Sequence, residues 1–233
     1  MIIVTGAAGF IGSNLLYELN RRNEKNIILC DVVNSILKKK YLKKASFKKI
    51  ISPSQLFIFL EKNKKKINCI FHLGAISATT SSDFSKLLKN NLEFSIKIFE
   101  FSIKNSIRII YASSASTYGN GSKGFEDRDN FSYLKKLKPL NLYGKSKHLF
   151  DLYISKKLKE NKELPKQWVG LKFFNVYGKN EIHKKKQMSI ISYLAPIIDS
   201  GKGIKLFKSH NKKFNDGEQK RDFIHVSDCI KII

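Results

Sequence analysis

The sequence predicts an α/β protein built on a doubly wound, parallel β-sheet. Short apolar strands alternate with amphipathic helices along most of the 233 residues, and this alternation is typical of parallel sheets that carry helices on both faces. A glycine-rich turn joins the first strand to the first helix. With 42% hydrophobic residues, the chain can bury one sizeable core. We therefore expect one main domain with a small appended lobe.

The first βαβ unit is predicted at the N-terminus. Residues 2–4 form an apolar strand, residues 11–22 carry apolar side chains at helical spacing, and residues 27–30 form a strand that ends at Asp31. Lysine runs break the pattern over residues 34–66, so no third strand is predicted there. The other elements expected in the main domain are a helix starting at Ser52-Pro53-Ser54, strands over 69–72, 107–112 and 168–174, and helices over 84–104 and 143–158.

The chain is expected to leave the main sheet after residue 178. We assign residues 1–178 to the main domain and residues 179–233 to the start of a second, substrate-binding lobe. The lobe is predicted to contain a helix over 188–200 and a short strand over 204–207, after which residues 219–233 return to the main domain. A helix that starts near Ser227 and stops at Ile233 would lack partners, so an incomplete C-terminus is expected.

The formal net charge of +25 is the composition's main hint of a nucleic-acid partner. Two observations argue against it. The lysines are spread over most of the chain, and arginine, the residue best suited to bidentate base and phosphate contacts, is scarce. Of the 44 basic residues, the arginines are Arg21, Arg22, Arg108, Arg128 and Arg221. We expect no nucleic-acid partner.

The cysteines and the hydropathy of the chain bear on its location. Cys30, Cys69 and Cys229 are an odd number without metal-type spacing, so we expect buried thiols in a reducing compartment and no metal site. No stretch reaches the roughly 18 apolar residues of a membrane span. These features predict a cytoplasmic protein with no membrane partner.

The glycine-rich turn is the first sign of a ligand. It lies between strand and helix and contains Gly6, Gly9, Phe10, Ile11 and Gly12. Glycines at this spacing let the backbone approach a pyrophosphate, whose charge the helix N-terminus stabilises. Asp31 follows the second strand, where a carboxylate can accept hydrogen bonds from an adenosine ribose. A tight turn without a ligand is the alternative, but this register favours a Rossmann-like, dinucleotide-binding domain.

The identity of the dinucleotide stays open. Asp31 alone favours the free 2′-hydroxyl of NAD, whereas Lys38 and its neighbours Lys39 and Lys40 can offset the 2′-phosphate of NADP. The three lysines can equally be a solvated face. We expect NADP, with NAD as the alternative.

Tyr143 and Lys147 are candidates for acid-base chemistry. They are four residues apart, so they share one face of a helix about 5.4 Å apart along its axis. An ammonium at this distance favours the phenolate, which predicts a lowered pKa for Tyr143. Ser114 follows a strand and can donate a hydrogen bond to a substrate oxygen. Singly, these residues are also common on helix surfaces and in loops.

Together, the motifs resemble those of the extended short-chain dehydrogenase/reductases that modify nucleotide sugars, and within them the ADP-glyceromanno-heptose 6-epimerase family. The resemblance covers the chain except residues 34–66. It rests on Gly6 to Gly12, Phe71 to Thr80, Ser114 to Gly119, Pro139 to Lys147, Phe173 to Gly178, His183-Lys184, Leu206 to His210 and Gln219 to Phe223.

The resemblance implies an activity. Such an enzyme inverts C6 of an ADP-heptose by transient oxidation with a bound nicotinamide cofactor, on the route to the lipopolysaccharide inner core, and tends to form homo-oligomers. Two acid-base groups suit an inversion, and the resemblance makes Lys184 the second beside Tyr143; a solvated lysine run is the alternative.

Further site residues are implied by the same resemblance. It assigns cofactor contacts to His72, Gly74, Ala75 and Asn91, besides Tyr143 and Lys147. It assigns substrate contacts to Ser114, Asn175, Lys184, Phe207 and Arg221. For Arg221, an ion pair with Asp222 or Glu218 is the alternative.

Two other functions stay open. A 4-epimerase or 4,6-dehydratase of the same superfamily would act on a UDP- or dTDP-sugar, although Ala115-Ser116 stand where dehydratases carry an Asp-Glu pair. A nicotinamide-binding protein without catalysis is the second.

Overall fold

A six-stranded sheet forms the centre of the structure, a computed structural model that describes residues 1–160, 162–210, 212 and 214–233. Its strands are β1 (Ile2–Thr5), β2 (Ile27–Cys30), β3 (Lys49–Ile51), β4 (Cys69–His72), β5 (Arg108–Ser114) and β6 (Trp168–Phe173). They lie in the order β3-β2-β1-β4-β5-β6, and each pairing is parallel. The predicted parallel, doubly wound sheet is confirmed.

The helices and a small second sheet complete the architecture. The α-helices are α1 (Phe10–Arg21), α2 (Ile36–Leu42), α3 (Leu56–Asn63), α4 (Phe84–Leu87), α5 (Phe94–Lys104), α6 (Phe131–Leu134), α7 (Leu142–Lys159), α8 (Ile190–Asp199) and α9 (Val226–Ile232). The second sheet pairs β7 (Asn175–Tyr177) with β8 (Phe223–His225) in parallel. None of the helices within the described ranges has both the length and the apolar character that crossing a bilayer requires.

The sheet is buried on both faces, which explains why its strands are apolar without alternation. Successive residues of β1 enter different cores: Ile3 packs with Phe99 and Phe150 of α5 and α7, while Val4 packs with Leu16 and Cys229 of α1 and α9. The returning C-terminal segment therefore shares a core with the first βαβ unit. Burial raises the pKa of Cys229 to about 11.

Two elements of the main domain differ from the sequence prediction. A third strand exists: β3 adds to the sheet beside β2, although only Ile51 of its three residues is buried. So short an edge strand, which begins at Lys49 directly after Lys48, carries almost no hydrophobic pattern. Residues 84–104 are helical as predicted, but a π-helical stretch over Leu88–Glu93 separates α4 from α5. The helix expected at Ser52 does form, as a 3₁₀ turn that continues into α3.

The strand predicted over 204–207 is absent. These residues have no regular secondary structure, and the side chains of Leu206 and Phe207 are each 65% exposed. The carbonyl oxygen of Phe207 accepts instead from the backbone N–H of Gly217 at 2.9 Å. A strand is stabilised by pairing with a neighbouring strand. A short apolar run in the sequence does not show whether such a neighbour exists.

Close packing around the glycine turn generates a stability prediction. A Cβ atom added at Gly12 would lie 2.2 Å from the carbonyl oxygen of Gly6, which is backbone and cannot rotate away. We expect Gly12→Ala to lower the free energy of unfolding by about 2 kcal/mol or more. The control is Gly203→Ala, whose Cβ meets no atom within 4 Å. Equal unfolding midpoints in urea for the two variants would contradict the prediction.

Candidate active site

The carboxyl ends of β1, β4 and β5 open into a cleft of about 540 Å³. Strand order reverses between β1 and β4, and open α/β sheets bind their ligands at such a point. Most of the site residues predicted from the sequence line this cleft. Those lining the cleft are Gly6, Gly9, Phe10, Ile11, Gly12, Asp31, Lys38, Gly74, Ala75, Ser114, Tyr143, Lys147 and Lys184.

The glycine turn fits a pyrophosphate. Gly6 has φ of 66°, and a Cβ there would lie 2.6 Å from the Cα atom of Gly74, so the turns after β1 and β4 touch backbone to backbone. α1 starts after Gly9, which has no side chain to cap it. The first N–H groups of a helix lack intrahelical acceptors, and here they line the cleft, where the chemistry of the donor set suits an anion.

Asp31 holds the glycine turn in place. Its Oδ2 accepts from the N–H of Ala8 at 2.8 Å. Its Oδ1 accepts from the N–H of Val32 at 2.7 Å and from Nζ of Lys38 at 2.9 Å. Both oxygens thus have protein partners, and an ammonium lies beside the carboxylate predicted to meet the ribose.

Tyr143 and Lys147 face β5 from the first two turns of α7. The helix begins here because Asn141 caps it, its Oδ1 accepting from the N–H of Gly144 at 2.7 Å. Lys147 is buried and donates from Nζ to the carbonyl oxygen of Ala112 at 2.8 Å. Burial lowers the pKa of Lys147 to about 8.

The predicted direction for Tyr143 is wrong. Burial raises the pKa of Tyr143 above its ordinary value, and a hydrogen bond with the Ser114 side chain only partly opposes this. We expected the Lys147 ammonium to lower the pKa instead. The structure gives the reverse because desolvation of the phenolate is the larger effect, and helical spacing carries no information about burial.

Lys184 enters the cleft from the segment after β7. Its Nζ lies 4.6 Å from the centre of the Phe10 ring and 3.8 Å from Oε1 of Glu181. Burial lowers the pKa of Lys184, and the negative charge of Glu181 opposes that shift.

Glu181 was not predicted to matter. It is 1% exposed and accepts from the N–H of Ser189 at 2.7 Å and from Oγ of Ser192 at 2.6 Å. It thereby ties the Lys184 segment to the start of α8. A lone acidic residue three positions before Lys184 was the available signal.

His72 and Asn91, predicted to contact cofactor, lie beneath the cleft and not on its surface. His72 is 1% exposed, with Nδ1 2.7 Å from Oγ1 of Thr5 and Nε2 2.8 Å from Oγ of Ser95. Ser95 donates its single proton to the carbonyl oxygen of Asn91 at 2.6 Å, so it accepts from Nε2–H of His72. Nδ1 of His72 then accepts from Thr5, which fixes a neutral tautomer.

Both ends of this hydrogen-bond chain reach the loop after β4, and one end also reaches α7. At one end, Oγ1 of Thr5 accepts from the N–H of Gly74 at 3.0 Å. At the other, the Asn91 side chain accepts from the N–H of Ile76 at 2.8 Å and donates to Oγ of Ser146 at 3.0 Å. The loop after β4 is therefore joined to α7. His72 and Asn91 position the site.

Three predicted substrate residues are not among those that line the cleft. Nδ2 of Asn175 donates to the carbonyl oxygen of Asp222 at 2.9 Å. Nη1 of Arg221 donates to the carbonyl oxygen of Lys220 at 2.8 Å, and Phe207 lies in the exposed loop already described. Phe173, the last residue of β6, lines the cleft together with Phe174 and Val176, so the residues on both sides of Asn175 reach it.

Comparison with known proteins defines the family. Residues 2–233 match the model of the NAD-dependent epimerase/dehydratase family. The chain belongs to this family. Curated members similar to it include ADP-L-glycero-D-manno-heptose-6-epimerases of Fusobacterium nucleatum and Brachyspira hyodysenteriae, 40% and 39% identical over all of this chain. This chain spans 70% of the length of each.

Solved structures of the family have the same fold. The ADP-L-glycero-D-manno-heptose-6-epimerase of Helicobacter pylori superposes with a TM-score of 0.78 at 30% identity, over 99% of this chain and 70% of that one. A UDP-N-acetylglucosamine 4-epimerase from Methanobrevibacter ruminantium superposes with a TM-score of 0.77 at 25% identity, with the same coverage. Family membership and the glycine turn together identify a nicotinamide dinucleotide as the cofactor.

The buried histidine beneath the cleft generates a pH prediction. Burial and the charge of Lys147 lower the pKa of His72 to about 3, against about 6.5 for an exposed histidine. Below about pH 6.5 the unfolded chain takes up a proton that the folded chain excludes, so stability is lost progressively towards pH 3. Above about pH 6.5, His72 is neutral in both the folded and the unfolded chain and no longer lowers the stability.

Urea unfolding at a series of pH values from about 7 to 4 measures this effect. The unchanged protein should lose stability more steeply than His72→Gln, which keeps a hydrogen-bonding side chain but cannot titrate. Carboxylates titrate equally in both proteins, so parallel curves would exclude the proposed contribution of His72.

Proposed function

We propose that this protein converts ADP-D-glycero-D-manno-heptose to its L-glycero epimer by inverting C6 of the heptose. The observation that carries the proposal is that Tyr143, Ser114, Lys147 and Lys184 meet in one cleft with the dinucleotide turn. The names of its curated relatives at about 40% identity point to the same reaction. The product would serve lipopolysaccharide inner-core synthesis.

A bound nicotinamide would supply the redox chemistry, accepting a hydride from C6 and returning it to the opposite face of the same carbon. The main-chain N–H groups after Gly9 would hold its pyrophosphate, and Gly74 and Ala75 would lie along it. Because the hydride returns, the reaction needs no added reductant. Residues 1–178 would provide this dinucleotide site, and residues 179–233 would contribute Lys184.

The side chains would handle the protons. Tyr143 would take the proton of the C6 hydroxyl as the carbonyl forms, with Ser114 donating a hydrogen bond to the same oxygen. The protonated Lys147 beside them would stabilise the phenolate. Lys184 would give a proton to the oxygen when the hydride returns to the other face. Its shielded position against Phe10 and Glu181 suits a group that must both hold and release a proton.

We further propose that the cofactor is NADP. Both oxygens of Asp31 are already engaged by protein donors, so little acceptor capacity is left for a ribose 2′-hydroxyl. Lys38 also neutralises the charge that would repel a 2′-phosphate. Nζ of Lys38 also donates to the carbonyl oxygen of Val32 at 3.0 Å, which leaves one of its three N–H donors for a ligand. The Lys38 side chain is 22% accessible, and an ammonium is a strong phosphate donor.

The proposed reaction is tested by incubating the protein with ADP-D-glycero-D-manno-heptose and no added nicotinamide, and following the epimer by NMR. We expect conversion to a mixture of both epimers. Tyr143→Phe should lower kcat at least about 100-fold, since general acid-base catalysis contributes that much, while NADP affinity changes little. Turnover of UDP-galactose but not of the ADP-heptose would instead support a 4-epimerase, and full activity of Tyr143→Phe would remove the tyrosine from the mechanism.

Cofactor choice is tested at Lys38. Loss of a charge-assisted contact of about 1.5–3 kcal/mol should weaken NADP binding at least about tenfold in Lys38→Gln, with NAD affinity nearly unchanged. Lys39→Gln removes the same charge from the next, exposed position and is the matched control. Titration by isothermal calorimetry measures all four affinities for the two variants. Equal weakening by both variants would mean that Lys38 acts only through general charge.

A further inference from the structure

Three consecutive residues of β5 contact three residues of α7. The carbonyl oxygen of Ala112 accepts from Nζ of Lys147 at 2.8 Å, and Oγ of Ser113 donates to Oδ2 of Asp151 at 2.8 Å. Ser114 hydrogen-bonds to Tyr143. The α7 residues recur every four positions, so they form one row along the helix. Asp151 thus ends the row that contains the proposed acid-base pair.

Asp151 is a buried ion. It is 6% exposed, and Oδ2 also accepts from Nζ of Lys172 on β6. Nζ of Lys172 donates in addition to Oγ1 of Thr117 at 2.8 Å. Removing two charges from water is costly, and a buried pair often stabilises a protein no better than apolar side chains of the same size. The location of this pair behind the cleft therefore needs a reason other than stability.

The charge of Asp151 acts on both neighbours in the row. It raises the pKa of Lys147, against the lowering by burial, and it raises the pKa of Tyr143. Asp151 therefore keeps Lys147 charged, and it makes the phenolate of Tyr143, once formed beside that ammonium, a stronger base. The other ionisable groups that face this row are His72 of β4, Tyr111 of β5, Lys172 of β6, His148 of α7 and Tyr118 after β5.

We propose that Asp151 and Lys172 form a positioning pair, which clamps α7 to β5 and β6 so that Tyr143 and Lys147 are held at Ser114 and Ala112 with their charges set for proton transfer. The inference rests on the proposed function. Asp151 touches neither substrate nor cofactor in this role. If the pair were only structural, replacing both members together would leave the chemistry intact.

The deciding variant is Asp151→Asn/Lys172→Met, which removes both charges and so leaves no unpaired ion in the interior. A more exposed pair at the C-terminal end of α7 gives a matched control: Lys156→Met/Glu160→Gln removes one charge of each sign from side chains that are 63% and 36% accessible. Urea unfolding first confirms that each variant is folded.

The first measurement needs no turnover. Tyrosinate absorbance is titrated for each protein and for its Tyr143→Phe counterpart, and the difference isolates Tyr143 among the nine tyrosines. Loss of the Asp151 charge should move the titration of Tyr143 to lower pH. The control pair should leave it unchanged. An unchanged titration in the deciding variant overturns the proposal, whether or not the chain epimerises the ADP-heptose.

The second measurement is the pH profile of epimerisation. In the deciding variant, kcat should fall about tenfold or more with KM little changed, and both limbs of the profile should move to lower pH, because the pKa values of Tyr143 and Lys147 both fall. Full kcat in the folded variant also overturns the proposal. Absence of turnover in the unchanged protein defeats the proposed function instead and leaves the titration to decide the positioning role.

A milder variant covers the case in which the double replacement does not fold. Ser113→Ala removes the hydrogen bond between β5 and Asp151 but keeps the ion pair. We expect kcat to fall several-fold while the Tyr143 titration stays in place, since both charges remain. Unchanged kcat in this variant overturns the clamp.

Discussion

The parallel pairing of β1 with β4 is the constraint on which the site depends. It sets Thr5 opposite His72 and so brings the turns that follow the two strands into backbone contact at Gly6 and Gly74. Only residues without side chains permit that approach. The reversal of strand order at the same point leaves the two turns uncovered by a crossover helix, and the N-terminus of α1 is aimed across the gap. A cleft with a positive floor is the direct result.

Below this floor lies a chain of buried polar groups whose hydrogen bonds fix which atom donates and which accepts. Ser95 donates to Asn91, so His72 must donate to Ser95 and accept from Thr5. The chain of bonds links the loop after β4 to the helix that carries Tyr143. Satisfied networks of this kind stiffen a core. Tyr143, Lys147 and Ser114 are thus fixed on a long helix and a sheet strand, whereas Lys184 lies in a short 3₁₀ helix (Ile182–Gln187) that is kinked at Lys185.

The sequence allowed the prediction of features that depend on local spacing. These features are the glycine turn from Gly6 to Gly12, the pair Tyr143 and Lys147, and the central strands of the sheet. Their patterns can be read from the sequence without knowing which residues pack against them. Features that depend on the assembled interior were missed. β3 takes its register from β2, and the pKa of Tyr143 is set by its burial. The contacts that single out Asp151 and Glu181 are made with residues several positions away in the sequence. Phe207, Asn175 and Arg221 were assigned by family resemblance, and in this structure none of the three lines the cleft.

The all-parallel sheet also has a consequence for how the protein reaches its native state. Within the described residues, no two neighbouring strands are joined by a hairpin, and Ile2 pairs with Ile27 and with the distant Cys69. Loop-closure entropy is therefore lost before most pairings add stability. During synthesis, β1 cannot pair with β4 until β4 has left the ribosome. The helix that carries Tyr143 is synthesised much later. The binding cleft is therefore among the last features to mature, and the early apolar strands spend that interval exposed to aggregation.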